Sequence, residues 1–280
     1  MSFYVAASLA LHGAIIGNYD ISPGPNGAMM DAMQTVLLGF LQGVTEWIPV
    51  SSEGQTMLVM MKLLGITPAE ALSYSILLHI GTMSAVLIKF RGQFLEALKN
   101  ITSPMARILV ICTICTGITG MPLYFLFKES FSGGREATLL IGGLLILTGL
   151  LLRFKGSGSR SIEDMKPVDM ILLGLAQGFS ILPGVSRSGT TLTVLLMRNI
   201  RQDMALVISF MISVPAVLGA LVLDHSIAAV PFGSVILAIL ASFVTGYLCM
   251  DLLILFAEKV NFSRFCIAMG LITLLLASLF

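Results

Sequence analysis

The sequence predicts an all-α polytopic membrane protein with an inverted-topology repeat and two re-entrant helical hairpins. Composition is the first observation: 56% of the residues are hydrophobic and 11% are charged, which leaves too little polar surface to enclose a soluble core of this size. The second observation is a set of long uncharged stretches, and the third is an internal repeat. The net charge of +1 offers no basic footprint, so no nucleic-acid partner is expected.

Six stretches without an ionised side chain approach or reach the roughly 20 residues that cross a bilayer. They lie at 71–88, 108–127, 137–152, 204–223, 231–250 and 265–280. They predict a multi-pass protein of the cell (plasma) membrane. Residues 2–19 are also uncharged but lack the basic start of a signal peptide, and a loop follows at 22–27. We therefore treat 1–28 as an extra N-terminal segment before a single membrane-embedded domain at 29–280.

Two halves of the chain repeat each other at a separation of 135 residues. The shift places Gly39, Gln42, Gly43, Ser51, Gly54 and Thr56 on Gly174, Gln177, Gly178, Ser186, Gly189 and Thr191. We place repeat one at about 30–150 and repeat two at about 165–280. Each begins as an apolar helix, at 32–41 or 170–182, and then meets a proline, closely spaced serines and a glycine.

These two breaks predict the tips of re-entrant hairpins. Proline ends a helix because it lacks a backbone donor, and irregular backbone at membrane depth is tolerated only where it faces protein or a wet cavity. With both hairpins re-entrant, three basic residues fall on one side of the membrane, namely Lys62, Lys128 and Arg135. Twelve fall on the other: Lys89, Arg91, Lys99, Arg107, Arg153, Lys155, Arg160, Lys166, Arg198, Arg201, Lys259 and Arg264.

This charge bias sets the predicted orientation. An excess of lysine and arginine marks cytoplasmic loops, so the set of twelve is expected in the cytoplasm. The first hairpin then enters from outside and the second from inside. Two similar units of opposite orientation form an inverted-topology repeat, whose site is expected near the membrane midplane.

The breaks carry the charge and the hydroxyls of this predicted site. Glu46, Glu53 and Arg187 are the only ionisable side chains in 42–56 and 177–191, and a charge inside a membrane is a functional hypothesis by default. One interpretation is that a carboxylate only pairs with Arg187 to lock the repeats together. Against it stand eight hydroxyl side chains, more than one ion pair needs: Thr45, Ser51, Ser52, Thr56, Ser186, Ser188, Thr190 and Thr191.

A phosphate group fits this pattern. Helices that restart after the breaks offer backbone donors and a positive dipole end, and the fork of Arg187 matches phosphoryl oxygens. An anionic phosphate bound at membrane depth implies a lipid-linked phosphate.

At these residues the chain resembles the undecaprenyl-diphosphate phosphatase family, also called the bacitracin-resistance family. Residues 42–55 are similar to its Glu-Gly-x-Thr-Glu-x-x-Pro-Val-Ser-Ser-x-Gly-His signature, and 183–191 to its Pro-Gly-x-Ser-Arg-Ser-Gly-x-Thr signature. The similarity covers about residue 30 to the C-terminus and includes 78–82, 209–215 and 246–248.

The resemblance implies hydrolysis of undecaprenyl diphosphate to the monophosphate, which recycles the carrier lipid for cell-envelope synthesis. It implies that Glu46 is a catalytic carboxylate and Ser52 the nucleophile. It also implies a divalent cation, commonly Mg²⁺ or Ca²⁺, for which Glu46 is the candidate ligand. The expected phosphate-binding cluster comprises catalytic Arg187 and the substrate-binding residues Ser186, Ser188 and Thr191. Ser51 is also expected to bind substrate.

The chain departs from the family pattern at two positions. Gln42 stands where the family has its first Glu, and Gln55 where it has His. An amide can hold a phosphate oxygen or a metal but cannot take up a proton, so both glutamines are expected to bind substrate. Metal affinity is expected to fall with one carboxylate lost.

Glu53 is the expected compensation, because a carboxylate in a low-dielectric pocket can act as acid or base. We predict that Glu53 or Glu46 activates Ser52 or a metal-held water. His79 is a single histidine on an apolar helix, which favours a structural role, with proton transfer as the alternative.

Another class of function also fits a broken-helix repeat. A transporter or flippase could bind the polyprenyl-phosphate head group without hydrolysing it. The apolar faces of the outer helices would suit lipid or a second subunit equally, so a homodimer is left open.

Overall fold

The computed structural model describes residues 32–130, 134–153, 158–224, 232–256 and 262–279. The predicted extra helix at 2–19 and loop at 22–27 lie outside these ranges. Eleven α-helices and one 3₁₀ turn, Phe179–Ile181, occur in the described residues. The helices are α1 Ala32–Thr45, α2 Ser52–Leu63, α3 Pro68–Lys89, α4 Arg91–Lys99, α5 Pro104–Ser130, α6 Gly134–Leu151, α7 Pro167–Gly178, α8 Arg187–Met197, α9 Gln202–Leu223, α10 Phe232–Phe256 and α11 Phe262–Leu279.

Five of these helices are long and apolar enough to cross a membrane: α3, α5, α6, α9 and the Val235–Leu252 part of α10. This confirms the predicted all-α, multi-pass membrane protein. The described part of the sixth uncharged stretch lies in α11, whose apolar part, Ser263–Ser278, is shorter. Apolar side chains such as Ile114 and Ile118 on α5 are exposed, as expected for a surface that faces lipid.

Helices α3 and α7 begin at prolines, which suit the first helical turn because its backbone N–H groups have no partner within the helix. Thr67 and Glu70 cap α3 reciprocally. Asp169 caps α7 by accepting from Lys166 N at 2.9 Å. Its buried carboxylate also accepts from Arg160 at 2.7 Å and Arg198 at 2.5 Å, so three donors fix the start of the second broken helix.

The first helix of each predicted repeat packs against a helix of the other repeat through matched glycines. An added Cβ at Gly39 would lie 2.3 Å from Ala238 O of α10, and one at Gly174 would lie 2.6 Å from Cys112 O of α5. Small residues allow such close approach of helices in membranes. Gly39 and Gly174 occupy equivalent positions at the 135-residue separation, so the first helices of the two repeats pack in the same way. The opposite membrane orientation of the repeats stays a prediction, as do the predicted domain boundaries.

Candidate active site

Both sequence breaks interrupt helices, as predicted. Helix α1 extends beyond its predicted end, to Thr45, and α2 restarts at Ser52. In the second repeat α7 ends at Gly178, its last turn continues as the 3₁₀ turn, and α8 restarts at Arg187. The restarted helices therefore present two N-terminal first turns, the part of a helix that attracts anions.

Matched serines cap the restarted helices. Ser51 accepts from Gly54 N and Ser186 accepts from Gly189 N, each at 3.2 Å. Serine is favoured here because its short side chain reaches the unpaired N–H groups of the first turn. Ser51 is in the left-handed conformation at φ 57°, which turns the chain sharply into α2.

The two breaks contact each other directly. Ser51 Oγ accepts from Gly184 N at 2.9 Å, and Gly184 has φ 105°, a conformation that L side chains rarely adopt. The hydroxyl of Ser188 donates to Ile48 O at 3.4 Å and lies 3.2 Å from Ser186 Oγ. The hydroxyls of Ser51 and Ser188 thus join the two breaks, and Ser186 supports Ser188 within the second break. The binding of substrate by these three serines stays a prediction.

Glu46 lies at the centre of the polar contacts and is 6% exposed. Its Oε1 accepts from the guanidinium of Arg187. Its Oε2 accepts from Ser52 Oγ at 2.6 Å and from Gln42 Nε2 at 2.9 Å, and lies 3.3 Å from His79 Nε2. The predicted meeting of an acid and a guanidinium at the breaks is therefore present.

Arg187 is held on both sides. Besides Glu46 it donates through Nη1 to Ser209 O of α9 at 3.2 Å. The hydroxyls of Ser209 and Thr191 lie 2.7 Å apart, and Thr191 Oγ1 also contacts Arg187 O at 2.8 Å. Thr191 therefore ties α8 to α9 and fixes the residue that carries the guanidinium. Its direct contact with phosphate stays a prediction.

The remaining predicted residues divide by their contacts. Gln55 Nε2 donates to Val50 O at 3.2 Å, so this side chain braces the first break. Glu53 is buried, yet no described residue forms a hydrogen bond or ion pair with its carboxylate. Gln42 Oε1 is buried without a partner among the described residues. The hydrogen bond from Gln42 Nε2 to Glu46 fixes the orientation of the amide, so Gln42 Oε1 can accept a hydrogen bond from a bound ligand or water.

The structure brings two further residues to the site. For His79 the sequence favours a structural role, with proton transfer as the alternative, and the structure places its imidazole against Glu46. The sequence did not single out Ser209 as a partner for Arg187, although Ser75 and Ser209 occupy similar positions on the helices after the breaks. Trp47 donates through Nε1 to Gly246 O at 2.8 Å and packs on Phe210, which anchors the first break to α10 and α9.

The side chains do not form a ready site for a resident cation. Within the described ranges no group of three or more His, Cys, Asp and Glu residues is placed to hold a metal ion. Both oxygens of Glu46 are already engaged by donors. Magnesium is usually held by one or two carboxylates together with substrate phosphates, so the expected cation stays a prediction.

The chain matches a known protein family over most of its length. Residues 35–274 match the family model described as bacitracin resistance protein BacA. An undecaprenyl-diphosphatase of Methanothrix thermoacetophila is 59% identical over 256 residues, which are 89% of this chain and 98% of that protein. A protein of the same name from Methanopyrus kandleri is 40% identical over 86% of this chain and 94% of its own length. Another from Alkaliphilus metalliredigens is 34% identical over 89% of this chain and 100% of its own length. The chain therefore belongs to the bacitracin resistance protein BacA family.

Proposed function

We propose that this protein hydrolyses a polyprenyl diphosphate of the undecaprenyl type to the monophosphate and inorganic phosphate. The activity would recycle the carrier lipid for cell-envelope synthesis in the plasma membrane. The observation that carries the proposal is the hydrogen bond from Ser52 Oγ to Glu46 Oε2 at 2.6 Å, with Arg187 on the other oxygen of Glu46. The name shared by the relatives gives the substrate class.

Substrate binding uses the anion-attracting features of the breaks. The terminal phosphate lies against the N-terminal turns of α2 and α8 and takes the guanidinium of Arg187 as a bidentate partner. Phosphate competes with Glu46 for that guanidinium. As Arg187 turns to the phosphate, Glu46 gives up its ion pair and becomes a better acceptor for the hydrogen of Ser52.

In the first chemical step Ser52 Oγ attacks the terminal phosphorus and its hydrogen passes to Glu46 Oε2. The bridging P–O bond breaks, and its electron pair leaves on the polyprenyl monophosphate. Arg187 stabilises the charge on the equatorial oxygens, as positioned cations do in phosphoryl transfer.

In the second step water attacks the phosphorus of the phosphoserine. The Oγ–P bond breaks, Ser52 takes its hydrogen back from Glu46, and both hydrogens of the water leave with inorganic phosphate. We assign Glu53 to accept a hydrogen of this water as it attacks and to return it to the departing phosphate, because the buried carboxylate has no other hydrogen-bond partner among the described residues. Gln42 Oε1 offers a second acceptor at the same site.

The alternative of a purely structural lock explains only part of these contacts. An ion pair between Glu46 and Arg187 needs neither the hydroxyl of Ser52 nor the amide of Gln42 on the second carboxylate oxygen. The transporter alternative has no specific contact in its favour.

Release of inorganic phosphate tests the proposal. Purified protein in detergent is given undecaprenyl diphosphate, and phosphate is measured over time for the wild type, Arg187→Ala and the control Arg201→Ala. Arg201 is an exposed arginine paired with Asp203, so its loss should leave the rate unchanged. We expect the wild type to release phosphate and Arg187→Ala to be slower by about 1,000-fold. Binding of the lipid without phosphate release by the wild type would instead support a transporter.

The homodimer also belongs to this proposal. Exposed apolar side chains on α5, including Ile114 and Ile118, would be covered by lipid or by a second copy. Light scattering of the detergent-solubilised protein distinguishes the two, since a dimer doubles the protein mass. A protein mass of one chain at all concentrations would remove the dimer.

A further inference from the structure

We propose that His79 is a positioning residue that holds Glu46 Oε2 against Ser52. The inference rests on the proposed function, and it starts from two contacts of the imidazole. Nδ1 lies 2.7 Å from Ser75 O, and Nε2 lies 3.3 Å from Glu46 Oε2. Carbonyl and carboxylate oxygens only accept hydrogen bonds, so both ring nitrogens donate, and the contact with Glu46 is made by the protonated imidazolium form of His79. The ring plane is thereby fixed, and Nε2 is directed at the carboxylate.

The oxygen that His79 contacts is the one that Ser52 uses. Ser52 Oγ donates to Glu46 Oε2, whereas Arg187 pairs with Oε1. When phosphate draws Arg187 away, the Oε1 side of the carboxylate loses its restraint. Contacts on the Oε2 side from His79 and Gln42 remain. These two contacts keep Glu46 Oε2 beside Ser52 Oγ when the hydrogen of Ser52 begins to move to the carboxylate.

A closed ring of contacts links His79 back to Ser52. Ser75 Oγ lies 2.9 Å from Thr56 Oγ1, and Thr56 Oγ1 donates to Ser52 O at 3.0 Å. The ring therefore runs through Ser52, Thr56, Ser75, His79 and Glu46 and returns to the hydroxyl of Ser52. Because each member of the ring restricts the next, removal of the imidazole should change the distance between Ser52 Oγ and Glu46 Oε2.

The helix that carries His79 is held in place from its other side. Ser242 Oγ of α10 donates to Leu78 O at 2.8 Å. An added Cβ at Gly81 would lie 2.5 Å from Ile239 O, so α3 and α10 are in close backbone contact beside the imidazole. A site built on such a supported helix keeps its geometry better than one on a loop.

The test compares His79→Ala with His79→Gln. We expect kcat of phosphate release to fall about 100-fold in His79→Ala, as for misplacement of a catalytic group by about 1 Å, while KM stays within about threefold. His79→Gln should recover part of the rate, because its amide can donate to Glu46. Ser84→Ala is the matched control on the same helix, since among the described residues that hydroxyl bonds only to Ile80 O.

A double-mutant cycle separates positioning from general support of the fold. If His79 acts through Glu46, adding His79→Ala to Glu46→Gln should lower kcat by less than about threefold further. Multiplicative losses in the cycle, or a rise in KM with unchanged kcat, would overturn the inference. Thermal unfolding midpoints of all variants show whether the fold is retained. If the variants that lose activity also lose stability in proportion, the result would contradict a positioning role for His79.

Failure of this inference is distinguishable from failure of the proposed function. A wild type that releases phosphate beside a His79→Ala variant of similar kcat leaves the phosphatase intact and removes the role of His79. A wild type that releases no phosphate removes both.

Discussion

Arg187 of the second break donates to Glu46 of the first, and this contact joins positions 141 residues apart in the chain. An ionised Glu46 or Arg187 would be costly to bury alone, because an unpaired charge at membrane depth costs several kcal/mol. The two repeats are thus joined by this ion pair. In the proposed function the guanidinium that pairs with Glu46 is also the group that binds phosphate.

Replacement of the base should be more damaging than replacement of other carboxylates. We expect Glu46→Gln to lower kcat of phosphate release by about 100- to 10,000-fold, since an amide cannot take the hydrogen of Ser52. Glu136→Gln, at an exposed acid in the first turn of α6, should leave kcat unchanged. Equal rates for Glu46→Gln and the wild type would show that another group accepts the hydrogen.

Glu53→Gln should stop turnover at the second step. If Glu53 accepts a hydrogen of the attacking water, which an amide cannot do, each protein molecule should release one polyprenyl monophosphate and then retain phosphate on Ser52. Mass spectrometry of the quenched protein would detect the phosphoserine, and Ser52→Ala provides the control without that site. Unchanged turnover in Glu53→Gln would remove Glu53 from the mechanism.

Removal of divalent cations should abolish phosphate release, with recovery on adding Mg²⁺ or Ca²⁺. Because the described side chains form no ready cluster, we expect the cation to bind only together with substrate phosphates. Calorimetry should then show no binding of Mg²⁺ to the protein alone. Tight binding to the protein alone, or full activity in chelator, would contradict this prediction.

The close contact between α1 and α10 should be sensitive to a single methyl group. An added Cβ at Gly43 would lie 1.9 Å from Thr245 Oγ1 and 2.6 Å from Gly246 N. We expect Gly43→Ala to destabilise the protein by about 1–3 kcal/mol through overpacking, which lowers the thermal unfolding midpoint. Gly143→Ala on α6 is the matched control, because within the described residues no atom from outside its own stretch of helix lies within 4 Å of its added Cβ, and its midpoint should stay equal or rise slightly.

The sequence by itself determined the membrane class, the two breaks and the pairing of an acid with Arg187. Each follows from local or compositional physics. A chain with so few charges cannot enclose a soluble core, proline and serine end and restart helices wherever they are placed, and a guanidinium in lipid requires a partner. The repeat added the correspondence of Ser51 with Ser186, which the matched caps bear out.

Only the tertiary structure decided which side chains meet. In the structure Glu46, and not Glu53, pairs with Arg187. Gln55 donates to the backbone oxygen of Val50, and His79 contacts the carboxylate of Glu46. These outcomes depend on how closely α3 approaches α2 and α10, and on the rotation of each helix about its axis. Both are set by glycine contacts and hydroxyl bonds between distant segments, which no local pattern of residues encodes.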